Sequence, residues 1–335
     1  MKRLMYIFVA FVLATSCEKI IDFHHSDVVI DGVTINALAV ADTVFTASVS
    51  KAYPFYKVGA ISGEDFWIYE GSLLQGEYEQ FFKDSTIVKD AYVKLQVNGT
   101  QQYNMKYDPV SYSYKSTYIP KEGDQLKVPV EYGIFPIAYA EVQVPQSQKI
   151  EVVQWEKVYS KNSYRTDDGD LYDYTGQDTV ARVTLRISDS AEENNFYRLK
   201  VRGYAHSLYS DGSIAYMHND IFTSADIIFK DEQLNKGYRG WPAYFSNIFS
   251  DHLFNGKDYE FIVESRLRKG DEGTNYIVVE LQSITKELYY YLKSIMLYRI
   301  TEQDAYTEPI SIYSNIEDGW GILGAVSSDT HYLRL

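Results

Sequence analysis

The chain has 335 residues, 45% of them apolar and 23% charged, which excludes a disordered chain and points to about two domains. Acidic residues outnumber basic ones 46 to 32, for a net charge of −14, and that balance excludes the basic footprint nucleic acid requires. Two counts stand apart: 32 Tyr, and a single Cys at position 17.

Lys2 and Arg3 precede an unbroken apolar run from Leu4 to Ala14. That is the length of a signal-peptide core and too short to span a bilayer. The small residues Ala14-Thr15-Ser16 then lead into Cys17, an arrangement that resembles a bacterial lipobox. It implies a lipoprotein signal peptide over 1–16, thiol lipidation and palmitate-type acylation at Cys17, and a lipid-anchored tether over 17–25. The alternatives are an ordinary secreted protein, or a buried thiol that falls here by chance. Several acyl chains on one residue make a stable anchor, at about 0.8 kcal/mol per buried CH₂. Cleavage before Cys17 would also remove Lys2 and Arg3 and make the chain more acidic. The folded part would hold no free thiol, which suits an oxidising compartment and excludes cysteine catalysis.

Beyond the tether the dominant period is two. Ala91, Val93, Leu95 and Val97 alternate with polar residues, and Asn98-Gly99 follows before a second strand-like run, Gln101 to Tyr107. Alternation, Asn-Gly, then alternation predicts a hairpin. Ala181 to Ile187, Tyr197 to Val201, Tyr259 to Val263 and Ile277 to Leu281 show the same pattern. Many short strands punctuated by Gly, Asn, Asp and Pro predict an all-β fold of two antiparallel β-sandwich domains, Ig-like or barrel-like. The Pro-containing link Val144 to Gln148 divides them, with the N-terminal sandwich at 26–145 and the C-terminal one at 150–335. One segment breaks the rule. In 285–298, Leu288, Leu292, Ile295 and Met296 fall at helical spacing and Thr285 is placed to cap, so a short helix across a sheet end is expected.

Near the C-terminus the chain reads Tyr313-Ser314-Asn315-Ile316-Glu317-Asp318-Gly319-Trp320-Gly321-Ile322-Leu323-Gly324. Upstream stand Phe249 to Lys257, with Asp251, Phe254, Asn255 and Gly256, then the segment Leu281 to Leu292, and near the start Val28 to Gly32. In this order they resemble the domain-of-unknown-function 4249 family of Bacteroidota envelope lipoproteins. Leu323 stands where that family usually has Phe, and Ile30-Asp31 varies its first strand. The resemblance implies an outer-membrane lipoprotein with no settled activity, often encoded beside a TonB-dependent receptor, with neither catalytic residues nor a cofactor to carry over. Ser314, Asn315, Ile316, Gly319, Gly321 and Gly324 are the family signature, and a structural role is expected of them. The glycines permit tight or left-handed backbone, and Asn315 can close an Asx turn on its own backbone.

The six His show no metal-ligand spacing; His24-His25 falls in the tether, and His206 and His218 could face each other across a hairpin. Asp168, Asp170 and Asp173 form the densest acidic run, a weak candidate for Ca²⁺ that lacks the EF-hand spacing, so no metal is expected. No nucleophile elbow or phosphate loop occurs. The pointed feature is aromatic. Tyr238, Arg239, Trp241 and Tyr244 share a Gly- and Pro-bounded loop, and Tyr172 and Tyr174 share an acidic one. Tyr, Trp and Arg are the residues enriched at binding hot spots, though Trp241 could equally plug a sheet end. The expectation is a non-enzymatic accessory lipoprotein of a TonB-dependent nutrient-uptake receptor, on the periplasmic or cell-surface face of the outer membrane. The alternatives are a surface lipoprotein that captures glycan or peptide by itself, and an unrecognised hydrolase.

Overall fold

The structure, a computed structural model, describes residues 32–51, 86–160, 164–165, 171–172, 178–189, 194–208, 214–219, 222–237, 241–267, 276–301 and 310–335. In chain order the strands are β1 (Val33–Val40), β2 (Thr46–Lys51), β3 (Tyr92–Val97), β4 (Gln101–Asn104), β5 (Lys106–Asp108), β6 (Ser113–Lys115), β7 (Gln125–Lys127), β8 (Val130–Glu131), β9 (Glu141–Gln143) and β10 (Ile150–Ser160). They continue with β11 (Tyr164–Arg165), β12 (Leu171–Tyr172), β13 (Asp178–Ser188), β14 (Phe196–Leu208), β15 (Ile214–Asn219), β16 (Phe222–Thr223), β17 (Ile248–Ser250), β18 (Asp258–Arg266) and β19 (Tyr276–Ile284). Helix α1 (Lys286–Thr301) and β20 (Gly319–Arg334) close the chain.

The fold is all-β with sandwich-like sheets and, among the described residues, one long helix, as the alternation predicts. In the first sandwich β1, β2, β6 and β5 lie against the sheet β4-β3-β7-β9. Val33, Ile35, Val49, Val93, Leu95 and Val97 are the centre of its core. In the second, β15-β14-β19-β20 lies against β10-β13-β18-β16. Ala181, Val183, Leu185, Leu199, Val201, Ile277, Val279 and Leu281 are all 0% exposed there, so each two-residue period chose its buried face correctly. Each such Val, Leu or Ile contributes about 1.5–3 kcal/mol by leaving water.

The last strand joins the two sandwiches. Gly319 to Val326 pairs in parallel with β1, and Val326 to Arg334 pairs antiparallel with β19, making one continuous nine-stranded sheet. Ile316, Leu323 and Ala325 therefore pack in the first core, although they lie far beyond the division near Pro145. Among the described residues the pairing of β1 with β20 is also the exception to antiparallel order.

Two local expectations change. The Asn98-Gly99 turn forms, with both residues at positive φ, but the run after it splits. β4 returns along β3, and past Met105 the chain crosses to pair β5 with β6 in the opposite sheet. Helix α1 forms as expected and extends to Thr301. Thr285 caps it, its Oγ1 accepting from the Leu288 N–H at 3.3 Å. Leu288 and Met296 are buried against Ile248, Ile284 and Val326. Tyr289 and Tyr291 pack partly against the same cluster, and Tyr290 stays exposed.

Candidate functional site

The junction of the two sandwiches holds a cleft of about 1100 Å³. Its first wall is the end of β9 and the link after it, with Glu141, Gln143, Pro145, Gln146 and Gln148. The opposite wall is the start of α1, with Lys286, Glu287 and Tyr290. Asn195, Tyr197, Asp251 and Ser283 line the floor. The link is fixed on both sides. The Val144 N–H donates to Asp124 O at 2.9 Å, and the Gln148 N–H donates to Ser283 Oγ at 3.0 Å. Asp329 fastens the chain just beyond, accepting from the Ile150 N–H at 3.0 Å and from Lys149 Nζ at 2.9 Å.

The floor is a closed polar knot. Asp251, 1% exposed, accepts from the Asn195 N–H at 2.7 Å. Asp189 accepts from the Tyr197 hydroxyl at 2.6 Å and from the Gly256 N–H at 3.0 Å. Burial pushes the Asp251 carboxyl above its ordinary range; the Asn195 hydrogen bond opposes this and the charge of Asp189 adds to it. Burial and the bond to Asp189 likewise push the Tyr197 hydroxyl well up, so it stays protonated and donates. The turn from Phe249 to Lys257 thus exists to carry Asp251 and Gly256 into this knot. Above it Tyr290, 41% exposed, lies 5.7 Å from Tyr313 and 6.3 Å from Phe196 between ring centroids. The cleft offers amides, hydroxyls, the charged groups of Glu141, Lys286 and Glu287, and the exposed face of Tyr290, a surface for hydrogen bonding, ion pairing and stacking.

The residues singled out by sequence do not form one patch among the described residues. Trp241 is half-buried, edge-on to Phe245 at 5.2 Å and to Phe222 at 6.2 Å, and touches both clusters of the second sandwich. It plugs the sheet end. Tyr244 is 48% exposed and holds φ at 65°, fixed by hydrogen bonds from its N–H to Leu234 O and from the Asp231 N–H to its carbonyl. The backbone of Tyr172 pairs with Tyr164 in the short β11–β12 hairpin. Cys17 with the expected signal peptide over 1–16 and tether over 17–25, Asp168, Asp170, Asp173, Tyr174, Tyr238 and Arg239 lie outside the described residues. His206 pairs in register with Tyr216, and His218 with Tyr204, so the two His are diagonal rather than opposite. Among the described residues no three His, Cys, Asp or Glu converge as metal ligands, and no helix is long and apolar enough to cross a membrane.

The C-terminal signature is a lock between sandwiches. A Cβ on Gly321, at φ 102°, would lie 2.1 Å from Ile35 O, and one on Gly319 would lie 2.6 Å from Val33 O. Only glycine lets β20 approach β1 this closely. Gly324 leaves room for Leu288 of α1. Asn315 closes no Asx turn. Its Oδ1 accepts from the Leu323 N–H at 3.0 Å and its Nδ2 donates to Leu323 O at 2.9 Å. One residue pair further on, Thr285 does the same for Ala325, through Oγ1 at 3.3 Å and its own N–H at 3.1 Å. Asn315 and Thr285 thus complete the edge of β20 that β19 has not yet reached.

Sequence reading passed over the cleft because Gln143, Gln146, Gln148 and Asn195 have no diagnostic spacing. The one available signal was the Pro145 link, since clefts form where domains meet.

A family model described as domain of unknown function (DUF4249) matches residues 30–331. No curated protein matches the chain. A chain from the structure that holds the manganese lipoxygenase of Gaeumannomyces graminis and part of the zonadhesin of Komagataella pastoris aligns at 11% identity over 90% of this chain and 94% of that one. Its TM-score of 0.19 supports no argument about fold or function.

Proposed function

From the premise that the chain belongs to the DUF4249 family, we propose that it is a non-enzymatic, lipid-anchored envelope protein of the outer membrane, working beside a TonB-dependent receptor in nutrient uptake. The apolar run Leu4 to Ala14, followed by Thr15, Ser16 and Cys17, supports the anchor. The cleft between the sandwiches supports binding as the task. Its walls combine the amides of Gln143, Gln146 and Gln148, the charged Glu141, Lys286 and Glu287, and the Tyr290 ring, held in place by hydrogen bonds from both cores. In this reading the cleft accepts a segment of the receptor or the ligand in transit. Affinity purification of the full lipidated chain from its own envelope tests it. A receptor that co-purifies with the wild type, and is lost with Tyr290→Ala and Gln146→Ala together, is the expected result. Absence of any receptor from the wild-type sample refutes it.

A second reading is direct capture of glycan or peptide, favoured by Tyr290, exposed on the cleft wall with Lys286 Nζ 5.9 Å from its ring centroid. Calorimetry against oligosaccharide and peptide panels decides it, and a flat response in every titration removes it.

A further inference from the structure

The loop between β8 and β9 begins with six residues, Tyr132-Gly133-Ile134-Phe135-Pro136-Ile137, of which Ile134 and Ile137 turn outward while Tyr132 and Phe135 pack partly against the first core. Ile134 is 97% exposed and Ile137 49%, while Phe135 stacks on Tyr132 with centroids 6.1 Å apart. Ile134 is the most exposed of the large apolar residues among the described residues.

The tip of this loop sits where β1 begins. Lys51, paired with Val33, places its Nζ 5.2 Å from the Tyr132 ring centroid. Tyr139, later in the same loop, bridges Glu317, and a Cβ on Gly319 would touch both Val33 O and Ala138. Trp320, 48% exposed, has its indole Nε1 3.3 Å from where a Cβ on Gly32 would be. The register of β6 on β2 turns the β5–β6 loop, with Val110 at 87% exposure, toward this end as well. Ile134, Ile137 and Trp320 therefore lie at the end of the first sandwich where β1 begins, and Val110 is turned toward the same end. From Cys17 to Val33 the backbone spans at most about 55 Å. Among the described residues named at this end, Lys51, Glu131, Glu317 and Asp318 give an acidic balance that an anionic surface would repel.

We propose that this end is a membrane-docking face. Resting on the lipid-anchor reading, it holds that the Ile134 loop and Trp320 insert into the interface of a zwitterionic bilayer beside the acylated Cys17, orienting the sandwiches upright. Apolar loops gain by burial at the headgroup boundary, and Trp and Tyr favour that depth. Docking is then driven by apolar contact and is insensitive to salt.

In the lipidated chain the only Cys is blocked, so Ile134→Cys supplies a single free thiol for a nitrobenzoxadiazole label. Ile134 is so exposed that the change leaves folding intact. The comparison is Thr43→Cys, exposed on the β1–β2 turn at the other end of β1. The full lipidated proteins are placed in phosphatidylethanolamine–phosphatidylcholine vesicles containing nitroxide-labelled lipid. The expected result is blue-shifted, strongly quenched emission at position 134, unchanged by salt, with water-like and unquenched emission at position 43. Equal emission at the two positions, with acyl chains on Cys17 verified by mass spectrometry, overturns the docking face and leaves the anchor standing. A blue shift at 134 that appears only when receptor is added overturns it too, and makes the face a protein interface. Cys17 without acyl chains overturns anchor and docking face together.

Discussion

Asn315→Ala isolates the lock between the sandwiches. The wild-type amide satisfies both the N–H and the C=O of Leu323, a residue with 0% exposure. Alanine leaves that donor and that acceptor without partners. Each unsatisfied buried group costs about 1–3 kcal/mol, and the half-buried position of residue 315 lets water recover part of it, so the expected loss is about 2–4 kcal/mol. Urea unfolding read by circular dichroism measures it as a lower midpoint at unchanged slope. Asn315→Asp sharpens the test. At neutral pH a carboxylate keeps the bond from the Leu323 N–H but turns a second anionic oxygen toward Leu323 O, so it should be no better than alanine. Protonation restores a donor. The folded-state pKa of the new Asp is therefore raised, and its stability relative to the Ala variant is greatest below the ordinary Asp range and falls as pH rises. A loss under about 0.5 kcal/mol for Asn315→Ala, or a wild-type midpoint for Asn315→Asp at pH 7, would refute the edge-completion argument.

Gly321→Ala should destabilise by at least about 3 kcal/mol, combining left-handed strain with a clash against the Ile35 backbone, and thermal unfolding measures it. Trp241→Ala should cost about 2–4 kcal/mol by opening a void beside Phe222 and Phe245; a loss of ligand binding with unchanged stability would contradict its place in the core. Burial raises the folded-state pKa of Asp251, so the stability it confers is full below the ordinary carboxylate range and is lost as pH rises through the raised value. Asp251→Asn keeps an acceptor for the Asn195 N–H without the charge. Its stability relative to wild type should thus grow between acidic and neutral pH in paired denaturation series, and a difference independent of pH would count against the burial argument.

Local pattern was enough for the elements and their faces. The alternation in Ala181 to Ile187 and Ile277 to Leu281 chose the buried side of each strand, and Thr285 announced the helix. Those features arise from periods of 2.0 and 3.6 residues, which neighbouring side chains alone impose. Partners were not legible. Nothing near Gly319 states that it will lie beside Val33, since that register is chosen by packing between segments separated by most of the chain. The same holds for the crossing at Met105, for Asn315 reaching Leu323, and for Trp241 turning inward between Phe222 and Phe245. It holds most of all for the cleft, whose Gln146, Asp251 and Tyr290 come from three distant segments. Sequence periodicity decides which face of an element is apolar, and only the packed structure decides what that face, and every polar group left on its rim, will meet.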